Sequence, residues 1–166
     1  MSTIHTTLSF GNFGDIQLMA GDHGLQALSM AGQAHFIHAP ADSRSDPRAE
    51  LFVRAQAQLE AYFAGDLRDF DLPVDLRGSD SQLAVWRELT TIPYGRSTTY
   101  GAVAAAVGHP GMAQAVGQHV GHNPVGIIVP CHRVIGADGS LTGYAGGLER
   151  KRHLLTLEGV LQPTLL

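Results

Sequence analysis

The stretch richest in reactive groups is Ile127–Gly136, which reads I-I-V-P-C-H-R-V-I-G. Cys131 is the single cysteine of the 166-residue chain, and His132 and Arg133 follow it directly. A free thiol has a pKa of about 8.5, so a base or a positive charge beside it is what turns it into a nucleophile. Three β-branched apolar residues, Ile127, Ile128 and Val129, run into Pro130, and the spacing predicts a buried strand that ends there and presents Cys131 at a turn. A lone cysteine can equally be a small buried hydrophobe. Two features favour chemistry here: Pro130 removes a backbone donor, and His132 and Arg133 are costly to bury. A metal site built from His119, His122, Cys131 and His132 is a competing use of the same residues, since His119 and His122 have helical i, i+3 spacing. No metal is expected.

The elements that must position this stretch can be read from periodicity. Thr3–Phe10, Asp15–Ala20 and Leu25–Ala31 are β-rich runs separated by glycine-containing turns, which predicts an antiparallel meander. Ala39–Asp46 reads as a polar loop. Asp46 and Pro47 suit the start of a helix that runs to about Ala64, with Leu51, Phe52, Ala55, Leu59, Tyr62 and Phe63 on one apolar face and Gly65 as its stop. Phe70–Leu76 alternates like a half-exposed strand, and 77–80 is the natural linker. Beyond it, Ser79 and Gln82 form a capping box ahead of Leu83, Trp86 and Leu89. Ser97, Thr98 and Thr99 offer caps for a second helix, Gly108-His109-Pro110-Gly111 turns the chain, and Met112–Gly121 is a third, so the pair has helix-turn-helix form. Leu148–Leu157 is a last helix, stopped by Gly159. The expected fold is an α/β N-terminal domain, a small antiparallel sheet with a helix, over 1–78. A mainly helical C-terminal domain with a helix-turn-helix follows over 79–166.

Composition narrows the class. Apolar residues make up 44% of the chain, enough for a core, and one cysteine excludes a disulfide framework. The first residues show neither the basic region nor the apolar run of a signal peptide or membrane span, so a cytoplasmic protein is expected. The net charge of −4 is divided unevenly. Residues 1–78 hold 5 Arg and 10 acids, and residues 79–166 hold 6 Lys or Arg and 5 acids, giving −5 and +1. A phosphate-facing surface therefore belongs to the C-terminal half, where counterion release would contribute modestly. His35 and His38 read as part of a solvated loop.

Pro130 to Val134, P-C-H-R-V, resembles the signature of the O6-alkylguanine-DNA alkyltransferases, and the likeness extends over roughly residues 78–159. The resemblance implies a suicidal transfer in which Cys131 takes the alkyl group from O6 of guanine, or from O4-alkylthymine, without a cofactor. It implies that His132 acts on Cys131 through a water, that Glu158 orients His132, that Asn123 buttresses the turn, and that Tyr100 bonds the base. The flipped base would sit among Tyr100, Cys131, Val134, Tyr144 and Ala145. Gln114, Ala115, Gly117 and Arg133 would face the minor groove of double-stranded DNA, with the protein acting as a monomer.

Three residues depart from that pattern. Gln114 stands where the family has the arginine that fills the space of the flipped base, Val120 replaces an asparagine, and Ser81 replaces a phenylalanine beneath the first C-terminal helix. The neutral Gln114 motivates two competing functions: an alkyl acceptor for a free base or small molecule, and a non-repairing sensor of alkylated DNA. The acceptor cysteine argues against the sensor.

Overall fold

A computed structural model describes residues 2–163, so the first residue and the last three of the two expected domains lie outside it. The meander forms as expected: β1 (Ile4–Ser9), β2 (Asp15–Gly21) and β3 (Gly24–Met30) pair antiparallel. Inward side chains of β2 and β3, among them Ile16, Leu18, Leu25 and Leu28, are fully buried. They meet Phe52, Ala55, Leu59 and Tyr62 of α1 (Glu50–Phe63), the apolar face that the i, i+3, i+4 spacing sets out.

Three expectations for this half are corrected. The sheet is mixed, because β4 (Arg44–Ser45), inside the expected polar loop, pairs parallel to β1 and gives the order β3-β2-β1-β4. Helix α1 starts at Glu50 rather than at Asp46-Pro47, and Ala49 stands at its N-cap without a side-chain cap. Asp46 instead closes a turn, its carbonyl accepting from Ala49 N, and pairs with Arg44 at 3.3 Å. The segment 70–76 is extended but is no regular strand, since only Val74 bridges Leu25. Pro73 has no N–H to give a ladder, and its carbonyl takes the amide of Leu25 at 2.9 Å. Gly24 is required there: its φ is +132, and a Cβ would lie 2.5 Å from the Pro73 oxygen.

The second half is helical. In α2 (Asp80–Leu89) the Ser79–Gln82 capping box is complete, and Val85, Trp86 and Leu89 are buried. A short β5 (Thr98–Thr99) leads into α3 (Tyr100–Ala106), capped by the Thr99 hydroxyl, and Gly108 and Gly111 turn the chain at positive φ into α4 (Ala113–Gly121). Trp86 ties α2 to α4 by donating its indole N–H to His119 O at 2.7 Å. After α4 the chain returns to the sheet, where Leu28 N donates to Pro124 O and Leu28 bridges Val125. A single 3-10 turn over Cys131–Arg133, β6 (Val134–Ile135, parallel to β5) and α5 (Leu148–Leu157) complete the fold. No helix among the described residues is long and apolar enough to cross a membrane.

Candidate active site

The predicted strand over Ile127–Val129 is a turn. Ile127 takes φ +69, Ile128 N bonds Gly126 O, and Val129 N bonds Val125 O, so the backbone groups a ladder would need are spent locally. Asn123 organises the loop: its Nδ2 donates to Val129 O at 2.8 Å and its Oδ1 accepts from Val125 N at 3.0 Å. Both ends of this buried amide are used, so the side chain acts as a cross-brace across the turn before Pro130. The apolar run still supplies core, since Ile127 and Val129 are buried. Burial was legible in those residues, but their strand conformation was not.

Cys131 follows at the start of the 3-10 turn, 7% exposed, and lines a cavity of about 570 Å³. That volume falls inside the range of about 300–1,000 Å³ that small-molecule sites occupy. Tyr100, Tyr144, Ala145, Gln114 and Gly117 line the same cavity. A Cβ at Gly117 would lie in ordinary contact with the Tyr100 ring, at 3.4 Å, so α4 packs directly against that ring. The Tyr144 hydroxyl is buried and has no partner among the described residues, so a phenol capable of donating stands near the thiol. Burial is also what pushes the Tyr144 phenol well above its usual pKa.

Behind the thiol lies a buried carboxylate. Glu158, which caps the C-terminus of α5, accepts from His132 Nε2 at 2.8 Å, from Arg133 Nε at 2.8 Å and Nη2 at 3.0 Å, and from the Tyr62 hydroxyl at 2.5 Å. Arg133 Nη1 donates to Ile92 O at 2.6 Å. Burial pushes the Glu158 carboxyl up, but the bonds from His132, Arg133 and Tyr62 outweigh it and hold the pKa at about 2. Burial pushes His132 down, against the pull of Glu158, so the imidazole is neutral at neutral pH. The carboxylate can only accept, which places the ring proton on Nε2 and leaves Nδ1 as a lone pair. Nδ1 is buried without a partner among the described residues, as a proton acceptor awaiting a donor would be.

Two expected site residues are corrected. Arg133 does not face DNA, because its guanidinium is buried between Glu158 and Ile92 O, where a neutral partner would leave the carboxylate unpaired. Val134 does not line the cavity, and its carbonyl accepts from Lys151 Nζ at 2.6 Å. Of the remaining surface set, Gln114 and Gly117 reach the cavity, while Ala115 lines a smaller one of about 160 Å³ between α2 and α4. Ser81 opens onto that second cavity, as a residue much smaller than phenylalanine would leave it. The histidines and thiol weighed as a metal set do not assemble: His132 is committed to Glu158, His122 stacks on His35, and no three ligating side chains converge among the described residues.

Sequence reasoning missed Tyr62 and Lys151. Nothing in Tyr62's place on the apolar stripe of α1 signals a hydrogen bond to a residue 96 positions on. Lys151 did carry a signal, since it shares the i, i+3, i+4 stripe with the buried Leu154 and Leu155. Its ammonium is fully buried and donates to Val134 O, Thr142 O at 2.8 Å and Gly143 O at 3.3 Å. Burial lowers its pKa to about 8, partly offset by the charge of the nearby Cys131. The Cys131 thiol is raised by burial, and Asn123 and the Lys151 charge oppose that rise.

Comparisons with known proteins converge. The DNA-binding domain of 6-O-methylguanine DNA methyltransferase matches residues 80–160, and its ribonuclease-like domain matches residues 4–76. A methylated-DNA–protein-cysteine methyltransferase of Mycolicibacterium paratuberculosis is 60% identical over 113 residues, covering 68% of this chain and 67% of its own. One from Methanosarcina acetivorans is 48% identical over 143 residues, covering 86% and 90%. The structure of Mycobacterium tuberculosis OGT in complex with DNA superposes with a TM-score of 0.86 at 49% identity, over 94% of this chain and 92% of that one.

Proposed function

Since the chain belongs to the 6-O-methylguanine DNA methyltransferase family, we propose that it repairs alkylated DNA by moving the alkyl group irreversibly onto Cys131. The observation that carries this reading is the placement of the only thiol on the wall of a base-sized cavity, with a neutral imidazole and an ionised carboxylate lined up behind it. The thiol proton passes through a water to His132 Nδ1, and Glu158 steadies the imidazolium that forms. The thiolate attacks the alkyl carbon on O6, an S–C bond forms, the C–O6 bond breaks, and its electron pair leaves with guanine. Tyr100, which lines the same cavity, meets the charge that develops on the ring. The resulting thioether has no group beside it that could cleave it, so each molecule acts once.

The finer parts of the reading belong to the same proposal. The chain divides at Gly78, with 1–78 supporting and 79–166 carrying the acceptor. The substrate is O6-alkylguanine flipped from the minor groove of duplex DNA into the cavity, and a cytoplasmic monomer does the work without a cofactor. Gln114, exposed at the cavity mouth, bears on how well duplex is used, because it can fill part of a vacated stack but brings no charge to a phosphate. Gln114→Arg is therefore expected to raise the rate on duplex and to steepen the salt dependence of binding by about one phosphate contact. An unchanged or lower duplex rate with a sustained free-base rate would instead favour a small-molecule substrate.

The test is to incubate the protein with duplex containing O6-methylguanine and map the added mass by peptide. The methyl group is expected on the peptide containing Cys131. Methyl on any other residue, or on none, overturns the reading.

A further inference from the structure

The cavity is not built by the C-terminal half alone, for a strap from the sheet domain crosses its rim. After β3 the chain turns at Gly32, and Ala34 and His35 line the cavity beside Gln114 and Gly121. Ala34 N donates to Ala145 O at 2.9 Å, which fastens the strap to the loop over 143–147, whose Gly143, Tyr144 and Ala145 also line the cavity. Arg150, on α5, donates to Ala31 O at 2.8 Å and to Phe13 O at 2.9 Å, and so fixes the base of the strap. His35 itself holds φ +57, a left-handed conformation that side chains rarely adopt. Such backbone strain persists where surrounding contacts impose it.

The His35 imidazole stacks on that of His122 with centroids 3.9 Å apart and planes 27° off parallel. His122 is a fixed platform, because its Nδ1 lies 2.8 Å from Gln118 O and must carry the proton that bonds it. One imidazole comes from the sheet domain and the other from the end of α4, so the pair is a clasp between the two halves at the mouth of the cavity.

We propose that His35, seated on His122, is a specificity-determining wall of the alkyl cavity, through which the sheet domain limits the size of the group that can be transferred. The proposal rests on alkyl transfer at Cys131 and adds to it a function for the N-terminal half. A flat ring at the rim takes up space that a bulky alkyl or aryl substituent on O6 would need, while a methyl group lies deeper, against the thiol. His35→Gly removes that ring and suits the left-handed backbone, so the variant keeps the strap without strain. His122→Ala removes the platform and leaves His35 present but unsupported.

The experiment compares transfer rates from O6-benzylguanine and O6-methylguanine placed in the same oligonucleotide. His35→Gly is expected to raise the benzyl-to-methyl ratio about tenfold, the scale of one pocket contact. His122→Ala is expected to raise it less, and the double variant is expected to match His35→Gly, because the two residues act as one clasp. An unchanged ratio in His35→Gly, or additive effects in the double variant, overturns the proposal. Should His35→Gly transfer neither group, the relative affinity of the two bases is measured in the Cys131→Ala background, where the same tenfold shift is expected and its absence is fatal. If the unaltered protein alkylates no cysteine at all, it is the functional reading that fails, not the wall.

Discussion

Two buried charges flank Cys131, and the chain holds them in opposite ways. Both come from α5, Lys151 in its first turn and Glu158 at its C-cap, seven positions apart and so on one face of it. Glu158 is matched by a full counter-charge and four hydrogen bonds, and its carboxyl stays ionised down to about pH 2. Among the described residues Lys151 meets no carboxylate and rests on three carbonyl dipoles, so burial wins and its proton is held only up to about pH 8. The first arrangement fixes a charge permanently, as an imidazole that must be oriented and re-protonated requires. The second leaves a charge that can be withdrawn, and ties the loop over 142–143 to β6.

Breaking the permanent charge should do most damage. Glu158→Ala strands Arg133 in the interior, an uncompensated buried charge that typically costs about 3–5 kcal/mol, to be read from urea unfolding. Transfer should collapse with it, and combining the change with His132→Ala should slow transfer little more than the worse single change. Additive losses would mean that the carboxylate and the imidazole do not form a relay.

Acid sharpens the same contrast. The folded pKa of Glu158 lies below its ordinary value of 4.5, at about 2. Its contribution is therefore complete above pH 4.5 and is lost as pH falls through that window, amounting to roughly 3 kcal/mol. For Lys151 the depressed group is a base, so the unfolded chain binds more protons between about pH 8 and 10.5. Its deprotonation should make stability rise with pH across that interval, a contribution that Lys151→Met should remove. At neutral pH the same substitution should cost less than the Glu158 change, under about 2 kcal/mol, because the lost carbonyl bonds are offset by no longer burying a charge. The same alkaline slope in the unaltered protein and in Lys151→Met would show that Lys151 is fully charged throughout.

How much of this was legible in the residues depends on the range of the interaction. Local signals held: the capping box at Ser79 and Gln82, the Thr99 cap, the meander and the stripe of α1 are decided by neighbours in sequence. The P-C-H-R-V string located the thiol and its imidazole. What failed was decided at a distance. Ile127–Val129 has strand composition, but Asn123 and the short bonds inside the loop claim its backbone, so burial survived and conformation did not. Arg133 looks like a phosphate ligand until Glu158, 25 residues later, takes its guanidinium. Tyr62 and His35 act across the domain boundary, where no periodicity within either half can announce the partner.

The central claim is that Cys131, flanked by these two charges, accepts one alkyl group and keeps it. The direct measurement is to titrate a fixed amount of protein with excess duplex carrying isotopically labelled O6-methylguanine and to follow label transferred to protein until it stops. The account predicts a plateau of one methyl per protein molecule, with guanine restored in equal amount, and no transfer by Cys131→Ala. Restoration that continues beyond the amount of protein present, or transfer that survives loss of Cys131, would contradict it.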